Sequence, residues 1–184
     1  ARPLEPAYSF FYAPKSLASP NMQGAEDAMA RVARYVVDPP NDRQRSAISQ
    51  SFANRLSMLW GPPGTGKTAT LAAMVMSWLE LPRVADRGMR VCIGASNYNA
   101  IDNVLESCAQ LLAARGAKIG RLAAKVIRLR ADSASPCTVD GVEDLAAYPA
   151  RSRLQSEIEE GRALIIVGGT HQQLIKLTNG EFAD

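Results

Sequence analysis

One short segment limits this chain more than any other. Gly61-Pro62-Pro63-Gly64-Thr65-Gly66-Lys67-Thr68 follows an apolar run, Leu56-Ser57-Met58-Leu59-Trp60, and opens a stretch that reads as a helix from about Lys67 to Glu80. The segment fits the pattern G-x-x-x-x-G-K-[ST] in full, between a strand candidate and a helix, which is where the pattern has a mechanism. Its glycines let the backbone turn N–H groups inward around a phosphate. The helix N-terminus adds partial positive charge. Lys67 is placed to reach the β- and γ-phosphates, and the Thr68 hydroxyl to ligate Mg²⁺. Gly61, Pro62, Pro63, Gly64, Thr65, Gly66, Lys67 and Thr68 are thus the expected nucleotide-binding residues.

The rest of the pattern agrees with a sheet that carries such a loop. Apolar runs at 90–94, 125–129 and 163–167 alternate with helix candidates at about 100–114 and just beyond Thr170. Alternating strands and helices predict right-handed crossovers and a parallel sheet with helices on both faces. With the phosphate loop, the expected class is α/β, a P-loop NTPase fold. Upstream, 21–37 reads as a helix with Ala28, Val32, Tyr35 and Val36 on one face, and Asp38-Pro39-Pro40 stops it. A further helix is expected from Asp42 to about Ala53 with Asn41 as its N-cap. Residues 1–22, rich in Pro and aromatics, read as an extended arm anchored by Phe10-Phe11-Tyr12. The segment 131–160 reads as an excursion with a charged helix at 150–160. Two parts result: an arm and helix at 1–40, and the sheet-forming part at 41–184.

Two further segments narrow the function. Gln44 stands 17 residues before Gly61. Its amide has a donor and an acceptor, which suits the adenine edge. Beyond the second strand candidate, Ala95-Ser96-Asn97-Tyr98-Asn99-Ala100-Ile101-Asp102-Asn103 resembles motif Ia of superfamily-1 RNA and DNA helicases, in the branch that contains the nonsense-mediated-decay helicase. The matching positions are Ala95, Ser96, Asn97, Ala100, Asp102 and Asn103. Val126 to Arg130 and Ile165 to Leu174 resemble the segments that follow, and the resemblance covers roughly residues 41–177. It implies an incomplete RecA-like fold and an ATP-dependent motor that uses Mg²⁺ and moves on single-stranded RNA or DNA. Ser96, Asn97 and Thr170, all at strand ends, are then the expected nucleic-acid contacts, of the kind that grips phosphate without reading sequence. His171 reads as a surface or capping residue.

The Asp-Glu pair that such motors use to hold the metal's water shell and polarise the attacking water is not found: no Asp-Glu dipeptide occurs in the chain. Glu143-Asp144 follows a segment that does not read as a buried strand. The expectation is therefore a first motor domain truncated before that motif, with no catalytic residue of its own and little hydrolysis alone. The remainder of the helicase is its expected partner, and an exposed gap is expected near the phosphate-loop strand. Two alternatives stand beside this reading. One is an AAA-type ATPase or remodeller, since GPPGTGKT suits that class too. The other is a nucleotide-binding interaction module without catalysis.

Composition excludes other classes. The 184 residues are 47% hydrophobic and 21% charged, which is globular and not disordered. That length is too short for a two-domain motor. The net charge of +3 does not by itself argue for nucleic acid. Arg83, Arg87, Arg90, Arg115, Lys118, Arg121, Lys125, Arg128 and Arg130 read as a solvated basic face, with a nucleic-acid-binding stripe as the alternative. Cys92, Cys108 and Cys137 are odd in number and lack C-x-x-C spacing, so they read as reduced thiols rather than a disulfide framework or zinc site. No apolar run reaches membrane-spanning length, so no membrane partner is expected. The expected location is cytoplasmic, or nuclear in a eukaryote. The first residue is Ala1 rather than Met, which reads as a processed or excised piece.

Overall fold

A computed structural model describes residues 23–54, 56–82, 84, 88–116, 118–119, 122–131, 133–145 and 164–179. The expected arm at 1–22 and helix at 150–160 lie outside these residues. The elements are α1 (Ala25–Val32), α2 (Asp42–Ala53), α3 (Lys67–Leu79), β1 (Met89–Ala95), α4 (Tyr98–Arg115), β2 (Lys118–Ile119), β3 (Leu122–Leu129), β4 (Glu143–Leu145), β5 (Leu164–Thr170) and α5 (His171–Asn179).

The sheet is organised around β5. It lies between β1 and β3 and runs parallel to both. Leu164, Ile165, Ile166 and Val167 are all buried. A parallel strand with neighbours on both edges and helices on both faces has no solvent side, so an unbroken apolar run is the sequence that suits it. The two faces feed different clusters. Leu164 and Ile166 join Val91, Val126, Ile101, Leu105 and Cys108 of β1, β3 and α4. Ile165 and Val167 join Ile127, Leu129, Leu145 and Leu177, the last from α5. Helices therefore cover both faces, as the alternating pattern predicts.

The helices follow from local chemistry. In α2, the Asn41 side chain accepts from the Gln44 N–H at 3.0 Å and the Gln44 side chain accepts from the Asn41 N–H at 2.9 Å, a complete capping box. In α3, the run Ala72 to Ser77 is wholly buried, because the helix lies among α1, α2 and α4. α1 is shorter than the expected 21–37 helix, but Ala28 and Val32 are buried, and Tyr35 and Val36 pack on the same core. Asn97 caps α4, its side chain accepting from the Ala100 N–H at 2.9 Å.

Two expectations need correction. Leu56–Trp60 is not a strand, and no described strand pairs with it. A strand is held by its neighbours. Without them Met58 is 95% and Trp60 87% exposed. Among the described residues this apolar flank of the phosphate loop has no strand partner. Conversely, the part read as an excursion at 131–160 contributes a short strand to the sheet, Glu143–Leu145, parallel to Ile127–Leu129 and with Leu145 buried. Three residues show no readable alternation, and the pairing comes from β3.

β5 also explains two predictions. At Gly168 a Cβ would lie 2.6 Å from Ile101 Cγ2 and 2.7 Å from Leu105 Cδ1. Gly168→Val should cost about 1–3 kcal/mol by overpacking, read as a lower urea midpoint at unchanged slope. The thiol of Cys108 is buried and pushed up to about 12 by that burial, so at neutral pH it is neither accessible nor ionised. Cys108 should react with a thiol reagent only when the domain opens, whereas the exposed Cys92 should react in the native state. Equal labelling rates for the two would contradict this core.

Candidate nucleotide and nucleic-acid site

The phosphate loop is positioned by helices, not by a sheet. Gly64 and Gly66 have φ of +79° and +75°, where a side chain is strained. Gly66 is the N-cap of α3, and the Thr70 N–H and hydroxyl both bond its carbonyl at 2.8 Å. Gln44 then ties α2 to the loop, its Nε2 donating to the Thr65 carbonyl at 3.2 Å. A Cβ on Gly66 would lie 2.9 Å from that Nε2. The glycine is needed for its φ and for this close approach together.

Inside the loop the polar groups satisfy one another. Lys67 Nζ donates to the carbonyls of Gly61 at 2.5 Å and Pro62 at 2.7 Å, and Thr65 Oγ1 donates to Pro62 at 2.8 Å. The ammonium therefore stands within its own loop, with a phosphate its natural replacement for those carbonyls. A cleft of about 860 Å³ opens here between the loop and α2. Gly61, Pro62, Gly64, Thr65, Gly66, Lys67 and Gln44 line it, together with Asn41 and Trp60. Pro63 and Thr68 do not. Thr68 lies half-buried in the first turn of α3.

The donor set fits a nucleotide with Mg²⁺. The helix N-terminus, the left-handed glycines and one lysine suit a polyphosphate. Mg²⁺ in such sites is carried largely by phosphates and water, so one hydroxyl is an ordinary protein share. Among the described residues no cluster of His, Cys, Asp and Glu is built to hold a metal by itself.

The three expected nucleic-acid residues come together at one end of the sheet. Ala95 pairs with Thr170 in register, so Ser96 follows one strand end beside the end of the next. Ser96 and Asn97 are exposed and Thr170 is half-buried. Asn97 also caps α4. His171 is exposed, its ring packed over Gly94.

The expected solvated basic face does not include Arg128 or Arg130. Arg128 is 3% exposed and is ion-paired with Asp102 and Asp144. Arg130 pairs with Asp144 at 2.6 Å, and Arg115 pairs with the buried Glu80, as does Arg31. Arg90 is exposed, and Arg83, Arg87 and Arg121 lie outside the described residues. The roles of Asp102, Tyr98 and Arg128 went unread in the sequence. A signal existed: Arg128 stands inside Val126-Ile127-Arg128-Leu129, a strand buried on both faces, where a charge has to be paired.

This fold and loop define a P-loop nucleotide-binding α/β domain. The chain belongs to the AAA domain family, whose profile matches residues 39–179. Among curated relatives, the regulator of nonsense transcripts 1 homolog of Neurospora crassa is 36% identical over 93 residues, 50% of this chain and 7% of that protein. The ATP-dependent helicase NAM7 of Saccharomyces cerevisiae is 34% identical over 93 residues, 50% of this chain and 8% of its own length. The DNA polymerase alpha-associated DNA helicase A of the same yeast is 29% identical over 111 residues, 60% of this chain and 13% of its own. These relatives bear out the resemblance to superfamily-1 helicases of the nonsense-mediated-decay branch. The match spans only 6–13% of the relatives' lengths. No solved structure gives a significant match.

Lys67→Ala should weaken Mg·ATP binding tenfold or more, because a charge-assisted hydrogen bond is worth about 1.5–3 kcal/mol. Gly66→Ala should weaken it as well, by straining the loop and displacing Gln44. Titration with a fluorescent ATP analogue reads both, and unchanged affinity in either folded variant would remove the loop from the site.

Proposed function

We propose that this chain is the ATP-binding portion of an ATP-dependent helicase motor that moves on single-stranded RNA or DNA. The observation that carries the reading is the loop: left-handed Gly64 and Gly66 feed a helix whose first residue is Lys67, with Gln44 bonded to Thr65. The names of the relatives favour a helicase over a remodeller of the AAA type.

In this reading the loop N–H groups and Lys67 hold the β- and γ-phosphates, and Thr68 contributes a hydroxyl to Mg²⁺, which neutralises phosphate charge when bound. Gln44 faces adenine. Its amide has valences to spare: the oxygen keeps a second lone pair beyond the Asn41 N–H, and the nitrogen keeps a second hydrogen beyond the Thr65 carbonyl. Ser96, Asn97 and Thr170 grip backbone phosphate of the strand. The activity resides in the whole motor, working in the cytoplasm or nucleus. Among the described residues no helix is long and apolar enough to cross a membrane.

No residue of this chain is assigned to water activation. The carboxylate of Asp144 is engaged by Arg128 and Arg130. The isolated chain should thus separate binding from turnover. Mg·ATP should raise its melting temperature more than Mg·GTP does, corresponding to about 2.7 kcal/mol at a hundredfold excess over Kd. Phosphate release should stay at background with or without single-stranded oligonucleotide. Equal protection by GTP would remove the adenine role of Gln44. Ordinary turnover would show that the chain holds a catalytic carboxylate after all.

A further inference from the structure

Arg128 is a buried charge that the nucleotide site does not use. Its side chain is 4% exposed, so it cannot itself meet a strand in solvent. Around it four groups from three pieces of the fold converge. From α4, Asp102 brings Oδ1 to 2.7 Å from Arg128 Nε, an ion-pair contact, and Oδ2 accepts from Nη2 at 3.1 Å. Also from α4, the Tyr98 ring lies under the guanidinium, 4.3 Å from its centroid. From β4, Asp144 is 3.5 Å from Nη1. From the segment after β3, the Ser135 carbonyl accepts from Nη1 at 2.9 Å. The Tyr98 hydroxyl in turn accepts from the Ala131 N–H at 2.9 Å.

Tyr98 is the first residue of α4, and Asp102 lies one turn further on. The exposed Ser96-Asn97 turn leads directly into that first turn. The guanidinium consequently holds the start of α4 against the ends of β3 and β4. We propose that Arg128, with Asp102 and Tyr98, is a positioning residue for single-strand binding: it fixes the Ser96-Asn97 turn beside Thr170 without touching the strand. The proposal rests on the nucleic-acid reading of those three residues. A planar fork is required, because one guanidinium serves two carboxylates, a carbonyl and a ring face, which an ammonium cannot match.

The test uses the whole chain with Asp102→Asn, which keeps volume, and Arg128→Lys, which keeps charge. Binding of a fluorescein-labelled oligouridylate is followed by anisotropy across a salt series, alongside a fluorescent ATP analogue and the amide NMR signals of Asn97 and Ala100. Expected are single-strand affinity lowered about tenfold, ATP affinity within about twofold of the parent, shifted Asn97 and Ala100 signals, and an unchanged salt slope, because no phosphate contact is lost. If Arg128→Lys does not fold, Asp102→Asn decides. Unchanged strand affinity in a folded variant overturns the proposal and leaves the nucleic-acid reading intact. A changed salt slope in Asp102→Asn, which removes a negative charge, means that charge and not position sets the strand affinity, and it overturns the positioning role. Absence of oligouridylate and oligothymidylate binding by the parent chain overturns the nucleic-acid reading, and this proposal with it.

Discussion

Burial of β5 on both faces is the constraint from which the rest of the arrangement follows. Each of its large side chains gains roughly 1.5–3 kcal/mol from leaving water, and the strand offers four in succession. That run brings β1 and β3 alongside in parallel register. It sets Ala95 opposite Thr170, so the turns that follow β1 and β5 emerge side by side. It also sets Arg128 opposite Gly168, at the level where α4 crosses. Gly168 allows that crossing, since its missing side chain admits Ile101 and Leu105. One apolar strand thereby arranges both the exposed turn and the buried charge behind it.

The phosphate loop is held in another way. Its preceding segment pairs with no described strand, yet the loop has the glycine conformations that a phosphate cradle needs. The support comes from two helices. α3 holds the loop at Gly66, and α2 holds it one residue earlier, at the Thr65 carbonyl, through Gln44. The Gln44 amide is itself fixed by the capping box with Asn41, so the start of α2 and the loop form one hydrogen-bonded unit. Among the described residues Leu56, Met58 and Trp60 stay exposed on this flank, which costs hydrophobic free energy.

The legible parts of the sequence were those with local causes. Asn41 and Asn97 announce helix starts because capping is a matter of a few adjacent residues. The loop announces itself because glycine, lysine and threonine at fixed spacing have a single joint use. The run 164–167 reads as a central strand because only two-sided burial suits it. What stayed hidden depended on distant partners. Leu56–Trp60 has the composition of a strand but lacks a neighbour, and nothing within the five residues records that. Glu143–Leu145 looks polar but pairs with β3. Asp102 reads as part of a nucleic-acid motif, whereas its carboxylate is turned to Arg128, 26 residues away.

The charges are distributed in a way that net charge does not reveal. Arg31 and Arg115 converge on Glu80, and Arg128 and Arg130 converge on Asp102 and Asp144. Breaking such a pair from one side leaves its partner uncompensated, commonly at about 3–5 kcal/mol, whereas replacing both partners with apolar groups is often neutral. These pairs therefore matter more for geometry than for stability. Each joins elements whose relative placement apolar contact alone would leave adjustable: α1, α3 and α4 at Glu80, and α4, β3 and β4 at Arg128. Arg128 is turned inward, and the described residues that end β1 and β5 are the exposed Ser96 and Asn97 and the half-buried Thr170. In the proposed single-strand role such uncharged groups act through directed hydrogen bonds, and the guanidinium behind them is proposed to set that direction.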